Sequence, residues 1–264
     1  MKFFVVTLFE EMFHAWAESG LVGQALKKQN FQMEFINPRS FTSDVHQAVD
    51  DKVYGGGDGM AAMFGPWSEA IEFAMQKEPS AQVIFLTPQG ESWNQKKVSE
   101  FLQRKPSQEM GIRSFVFVCG RYAGFDERLV KAYADHEISI GDYVLNGGEL
   151  AAMVVMESLV RGLPGVLGES SSFRKDSFGE EGLLECPQFT RPQSVKGMDV
   201  PSFLLSGHHK NIEALSRAIS IVRTKNRRPE LLEKAQISSK ELEAAEKLIR
   251  QLSEEERDLL GVNS

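Results

Sequence analysis

The chain has 264 residues, 42% of them hydrophobic and 25% charged, with a formal net charge of −7. This composition excludes a disordered chain and allows one large domain or two modest ones. Its acidic balance excludes indiscriminate coating of nucleic acid, which needs a cationic surface. Two cysteines, Cys119 and Cys186, cannot supply a disulfide framework, and neither has Cys or His partners at metal-ligand spacing. That usage favours the cytoplasm. The opening MKFFVVTLFEEMF carries acidic residues within a short apolar run and makes a poor signal peptide, and no run approaches the length of a membrane span.

In chain order, short β-rich runs predict strands at 3–8, 31–36, 83–87, 115–119 and 137–140. Amphipathic stretches between them predict helices at 10–28, 66–77, 94–104, 125–133 and 149–161, the last opened by an Asn146/Glu149 capping pair. This alternation is the signature of an α/β domain with a mainly parallel sheet. After Gly168 the segment ESSSFRKDSFGEEG is polar, glycine-bearing and without apolar periodicity, so 168–182 reads as a flexible linker between domains 1–167 and 183–264. Beyond Cys186 the chain turns helical, with capping boxes at Ser238/Glu241 and Ser253/Glu256. Arg217, Arg223, Lys225, Arg227, Arg228 and Lys234 form a basic stripe against only Glu230 and Glu233, readable as a nucleic-acid surface or as a solvated helix face.

The cluster YGGGDGM does not fit a Walker A loop, and no G-x-G-x-x-G follows a strand, so the pattern argues against an ordinary dinucleotide or kinase site. Three polar, glycine-bearing turns do follow predicted strands directly: TPQG at 87–90, GRYAG at 120–124 and IGDYVLNGG at 140–148. Loops leaving the carboxyl ends of neighbouring parallel strands gather at one sheet edge, where ligands bind. Glycines in them allow main-chain groups to approach a flat ligand closely. His208 and His209 lack an acidic or Cys partner at ligand spacing, so no metal site is assigned. His46, Asp50 and Asp51 precede the YGGG loop, and Cys119 ends an apolar strand as a buried small hydrophobe.

The blocks VDDKVYGGGDGM, LTPQG, VCGRYAGFDERL, SIGDYVLNGGELAAM, GLPGVLG, DSFGEEGLLECPQFTRP and VPSFLLSGHH span nearly the whole chain. In residues and order they resemble the signature blocks of bacterial TrmD-type tRNA (guanine-N1)-methyltransferases of the SPOUT superfamily. The resemblance implies an α/β domain with a mainly parallel sheet and a deep trefoil knot, followed by a small all-α C-terminal domain that grips tRNA. It implies S-adenosylmethionine as methyl donor, a Mg2+ dependence, and a homodimer with the active site at the subunit interface. The expected reaction is methylation of N1 of the guanosine immediately 3′ of the anticodon, which supports reading-frame maintenance.

Residue by residue, the resemblance places the cofactor against Pro88, Gly120, Arg121, Tyr122, Ile140, Gly141, Asp142, Tyr143, Val144 and Leu145, with Gly147 and Gly148 closing the pocket. Asp176 of DSF matches the family's general base, and Arg161, just before GLPGVLG, matches the arginine near guanine O6. The chemistry needs both, because neutral guanine carries a proton on N1 and has no lone pair there in the ring plane. A carboxylate removes the proton while a guanidinium fork stabilises the charge developing on O6. The chain departs from the family pattern at Ala123, where Glu is usual, and at Asp58, where Pro is usual. Ala123 removes a carboxylate expected near the charged end of the cofactor.

Overall fold

The structure is a computed structural model and describes residues 1–56, 59–103, 113–121, 123–168, 173 and 175–263. Its contacts divide the chain into two units, Met1–Ser170 and Ser171–Ser264.

The first unit is built on β1 (Lys2–Val6), β2 (Gln32–Ile36), β5 (Gln82–Ser92), β6 (Ser114–Val118) and β7 (His136–Ser139). They pair in the order β2-β1-β6-β5-β7, every neighbouring pair parallel. Runs such as FFVV and FVFV are apolar at successive positions because a parallel sheet is covered on both faces. One face presents Phe4, Val6, Val83, Phe85, Val116 and Val118 to α3 (Phe64–Lys77) and α5 (Glu127–Tyr133). On the other, Phe3 meets Phe31 and Phe115 meets Phe101 of α4 (Gln95–Gln103). The helices α1 (Glu11–Glu18), α2 (Gly20–Lys27) and α4 pack on α6 (Glu149–Arg161).

Several elements differ from the sequence expectation for local reasons. The helix expected over 10–28 is two, because Ser19 is extended and Gly20 takes φ +56°. The helix expected from 125 begins at Glu127, since Phe125 bridges Ala62 and Asp126 caps the helix by accepting from Arg128 N at 2.9 Å. No side chain caps α6: Gly148 is its N-cap, and Glu149 turns inward instead of joining Asn146. A small antiparallel pair, β3 (Asp50–Lys52) with β4 (Met60–Ala62), has strands of three residues each, too short to show a period in the sequence.

The second unit packs α8 (His209–Arg227) against α10 (Ser239–Ile249), following α7 (Ser202–Leu205), with α9 (Pro229–Lys234) between them and α11 (Glu254–Leu260) at the end. Phe203, Leu215, Ile219, Val222, Ile249 and Leu260 form its core. Both capping boxes are present. The unit is not entirely helical: β8 (Ser194–Val195) and β9 (Met198–Asp199) form a hairpin across Lys196 and Gly197, both at positive φ, which suits a two-residue connection.

Candidate active site

A cavity of about 450 Å³ opens at the carboxyl ends of β5, β6 and β7. The sheet order makes these strands neighbours, so the three glycine-bearing segments converge there. Pro88, Gly120, Arg121, Ile140, Gly141, Tyr143, Val144, Leu145, Gly147 and Gly148 all line it. Asp142 is exposed and is not one of the lining residues, and Tyr122 and Asp58 lie outside the described residues. The lining also includes Gln89 and Asn146 of the predicted turns, and Leu86, Ile138, Ser139 and Ala151, which lie outside those turns. Ala123 lines it too, and Glu127, at the start of α5, supplies a carboxylate to the wall.

The first of these segments is not a turn after a strand. Leu86 and Glu91 both register with Ile138, so residues 87–90 bulge out of β5 and the strand then resumes. Glycine is required there by the protein itself: a Cβ on Gly90 would lie 2.4 Å from Ile138 N. The same holds around the cavity. A Cβ on Gly120 would meet the Phe125 ring at 2.5 Å, and one on Gly148 would lie 2.9 Å from Cys119 Cα. These glycines let the loops pack on one another, a reason different from the close ligand approach expected from the sequence.

Behind the loops lies a buried ion pair. Glu149 is 1% exposed and accepts a hydrogen bond from Thr7 Oγ1 at 3.0 Å. Arg121 Nε lies 3.1 Å from each of its carboxylate oxygens and donates to Oε1. Oε2 has no hydrogen-bond partner among the described residues. The guanidinium also stacks over Phe9, 4.2 Å from the ring centroid, with Nη2 3.1 Å from Met12 Sδ. Deleting one member of such a pair typically costs about 3–5 kcal/mol, because the other is left buried and uncompensated. Beneath Gly148, Cys119 is fully buried; burial, reinforced by the Glu149 carboxylate, pushes its thiol well above the usual range.

Arg161 is the exposed last residue of α6 in the first unit. Asp176 is half-buried in the second unit, where its carbonyl accepts from Gly179 N at 2.9 Å and opens a turn continued by Phe178 N donating to Leu183 O at 2.8 Å. Much of the basic stripe is consumed by the fold. Arg217 pairs with Glu181 and Glu241, Lys225 with Glu246 and Arg228 with Glu230, while Arg223 Nη1 donates to Leu260 O at 2.6 Å. Among the described residues, no group of three or more His, Cys, Asp or Glu is placed to hold a metal ion.

A cavity of mixed polar and apolar lining, at the carboxyl edge of a parallel sheet, places the chain in the class of α/β proteins whose ligand sites lie at that edge. The family model described as tRNA (Guanine-1)-methyltransferase TrmD matches residues 1–234. The chain is 44% identical over 262 residues to the tRNA (guanine-N(1)-)-methyltransferase of Pseudoalteromonas atlantica, covering 99% of this chain and 93% of that one. It is 48% identical over 230 residues to the protein of that name from Shewanella piezotolerans, covering 87% and 89%. With the Haemophilus influenzae protein of that name the figures are 46% over 230 residues, covering 87% and 90%. The chain belongs to the TrmD family of tRNA (guanine-N1)-methyltransferases.

Proposed function

We propose that this protein transfers a methyl group from S-adenosylmethionine to N1 of the guanosine immediately 3′ of the anticodon in tRNA, and so supports reading-frame maintenance. The observation that carries the reading is the convergence of the family-matched loop residues on one cavity. Its volume is within the usual range for small-molecule sites, and Leu86, Ile138, Ile140, Leu145 and Ala151 offer apolar walls suited to an adenosine. Pro88, Gly120 and the stretch from Ile140 to Leu145 would hold the adenosine, with Gly147 and Gly148 closing the floor. When bound, the cofactor supplies an electrophilic methyl group on a sulfonium.

The remaining work falls to the protein. Asp176 takes the proton from guanine N1, and Arg161 directs its donors at O6, where negative charge develops. A base of this kind gains its effect from placement, so residues around 168–181 are assigned to assembling it when tRNA and cofactor are present. The reading includes the SPOUT trefoil knot, a Mg2+ dependence, cytoplasmic location, and a homodimer that shares the active site. Among the described residues no helix is long and apolar enough to cross a membrane. Support for the dimer comes from α6, whose Leu150 and Val154 are each 49% exposed one turn apart, and from exposed Phe9 and Met12 next to Arg121.

The test is a methyl-transfer assay with two tRNAs differing only in the base 3′ to the anticodon. Guanosine at that position gives 1-methylguanosine, and adenosine there gives no product. Methyl groups recovered on ribose or on another base would overturn the reading.

A further inference from the structure

Glu149 stands where a carboxylate is hardest to explain by packing. It is the first residue of a helix whose following residues, LAAMVVM, are apolar, and it is buried. One carboxylate ties three segments together: Thr7 just after β1, Arg121 in the loop after β6, and its own helix, which follows the loop after β7. Those two loops are also joined by an isolated antiparallel bridge between Arg121 and Gly147 and by Gly148 N donating to Gly120 O at 2.9 Å. The fit is close, since a Cβ on Gly147 would lie 2.4 Å from both Arg121 Nε and Glu149 Oε2.

An apolar side chain at 149 would fill the space, but it would leave the guanidinium of Arg121 without a counter-charge at the cavity wall. The cost of a buried carboxylate with an orphaned oxygen is met only if fixing that arginine matters. We propose that Glu149 is a positioning residue for cofactor binding: its buried carboxylate fixes Arg121, and thereby holds the loops after β6 and β7 in their ligand-ready arrangement before the cofactor arrives. The proposal rests on the cavity being the cofactor site, as argued above. Preorganisation of this kind lowers the ordering cost of binding, so its loss appears in affinity and leaves the chemical step alone.

The experiment is calorimetric titration of S-adenosylmethionine into the full-length protein, with steady-state kinetics alongside and folding checked by circular dichroism. Glu149→Gln keeps the volume and an acceptor for Thr7 but loses the charge. It is expected to raise Kd and the cofactor KM by about tenfold while kcat at saturation stays within about twofold. If that variant does not fold, Glu149→Asp, which keeps the charge and leaves Arg121 in place but shortens the reach between them, decides the matter. It is expected to fold and to show the same loss of affinity. Leu145→Arg, at an exposed cavity-lining position, checks the cavity itself. Weakened binding in Leu145→Arg with unchanged binding in Glu149→Gln, or in Glu149→Asp, overturns the role of Glu149 alone. Unchanged binding in Leu145→Arg overturns the cavity assignment, and this proposal with it. A fall in kcat as large as the rise in KM would also overturn it, since that marks general damage to the site.

Discussion

The ring of Phe125 occupies the space that any side chain at Gly120 would need: a Cβ there would lie 2.5 Å from its Cζ. The ring cannot swing away cheaply, because it is held edge-on to Trp67 at 5.6 Å and to Phe85 at 4.9 Å. Gly120→Ala is therefore expected to destabilise the protein by about 1–3 kcal/mol through overpacking. Phe125→Leu, though destabilising by itself, should recover part of that loss in the Gly120→Ala background. Urea denaturation of the four proteins of this cycle measures the coupling. Additive losses would mean that the loop, and not the ring, yields.

Asp176 and Arg161 are assigned to the transferred proton and to O6, neither of which involves the cofactor cavity. Asp176→Asn is expected to lower kcat by about 10²–10⁴-fold. For Arg161→Ala the expected loss is about 10²–10³-fold, with Arg161→Lys recovering part of it. The affinity for S-adenosylmethionine should stay within about twofold of the parent in all three. Single-turnover methyl transfer and calorimetry separate the two effects, and a parallel loss of cofactor affinity would remove these residues from the proton-transfer role.

Both cysteines should be inert in the folded protein. Burial raises the pKa of Cys119 strongly, with Glu149 adding to it, and burial also raises that of Cys186. A raised pKa leaves less thiolate, the reactive form, so a chromogenic disulfide reagent at pH 8 should react only after denaturation. The same shift gives Cys119 a pH-dependent contribution to stability. Above roughly pH 8.5 the unfolded chain releases a proton that folded Cys119 retains, so the contribution of this group is constant below that pH and becomes destabilising above it. Cys119→Ala should reduce the fall in urea midpoint between pH 7.5 and 9.5.

The dimer assigned above predicts that Val154→Glu, placed on the exposed stripe of α6, yields a monomer in analytical ultracentrifugation while the fold is retained. A variant that sediments as the parent would place the interface elsewhere.

In the second unit, Ser253 accepts from Glu256 N at 3.1 Å and so caps α11, while Arg223 donates to the carbonyl of Leu260 at its other end. Ser253→Ala is expected to cost about 1 kcal/mol. Arg223→Ala should also lower the thermal midpoint, because its guanidinium serves the helix terminus. Neither should change cofactor affinity. A change in tRNA affinity for Arg223→Ala, with the midpoint untouched, would restore that residue to the RNA surface.

The sequence alone determined the five strands of the parallel sheet, the edge where their loops meet, and the capping boxes of the second unit. Each is written in local pattern: apolar runs buried on both faces, glycine and proline at strand ends, Ser three residues before Glu. Many of the residues that line the cavity were also legible, through motif blocks whose order matched a family. Tertiary structure decided the rest. The capping partner expected of Glu149 was Asn146, three residues away, but its hydrogen-bond partners are Thr7, 142 residues away, and Arg121, 28 residues away. The Thr87–Gly90 stretch looked like a turn and is a bulge, because β7 takes up both Leu86 and Glu91 opposite one residue. The basic stripe was readable as a nucleic-acid surface or as a solvated helix face, and folding adds intramolecular partners that the sequence did not show: Arg217 and Lys225 find carboxylates on α10 and Arg223 finds a helix end. A charge or a glycine in a sequence declares only what it is able to do. Which neighbour claims it depends on groups brought together by folding, and the cost of burying an unpaired charge or a clashing Cβ then selects among them.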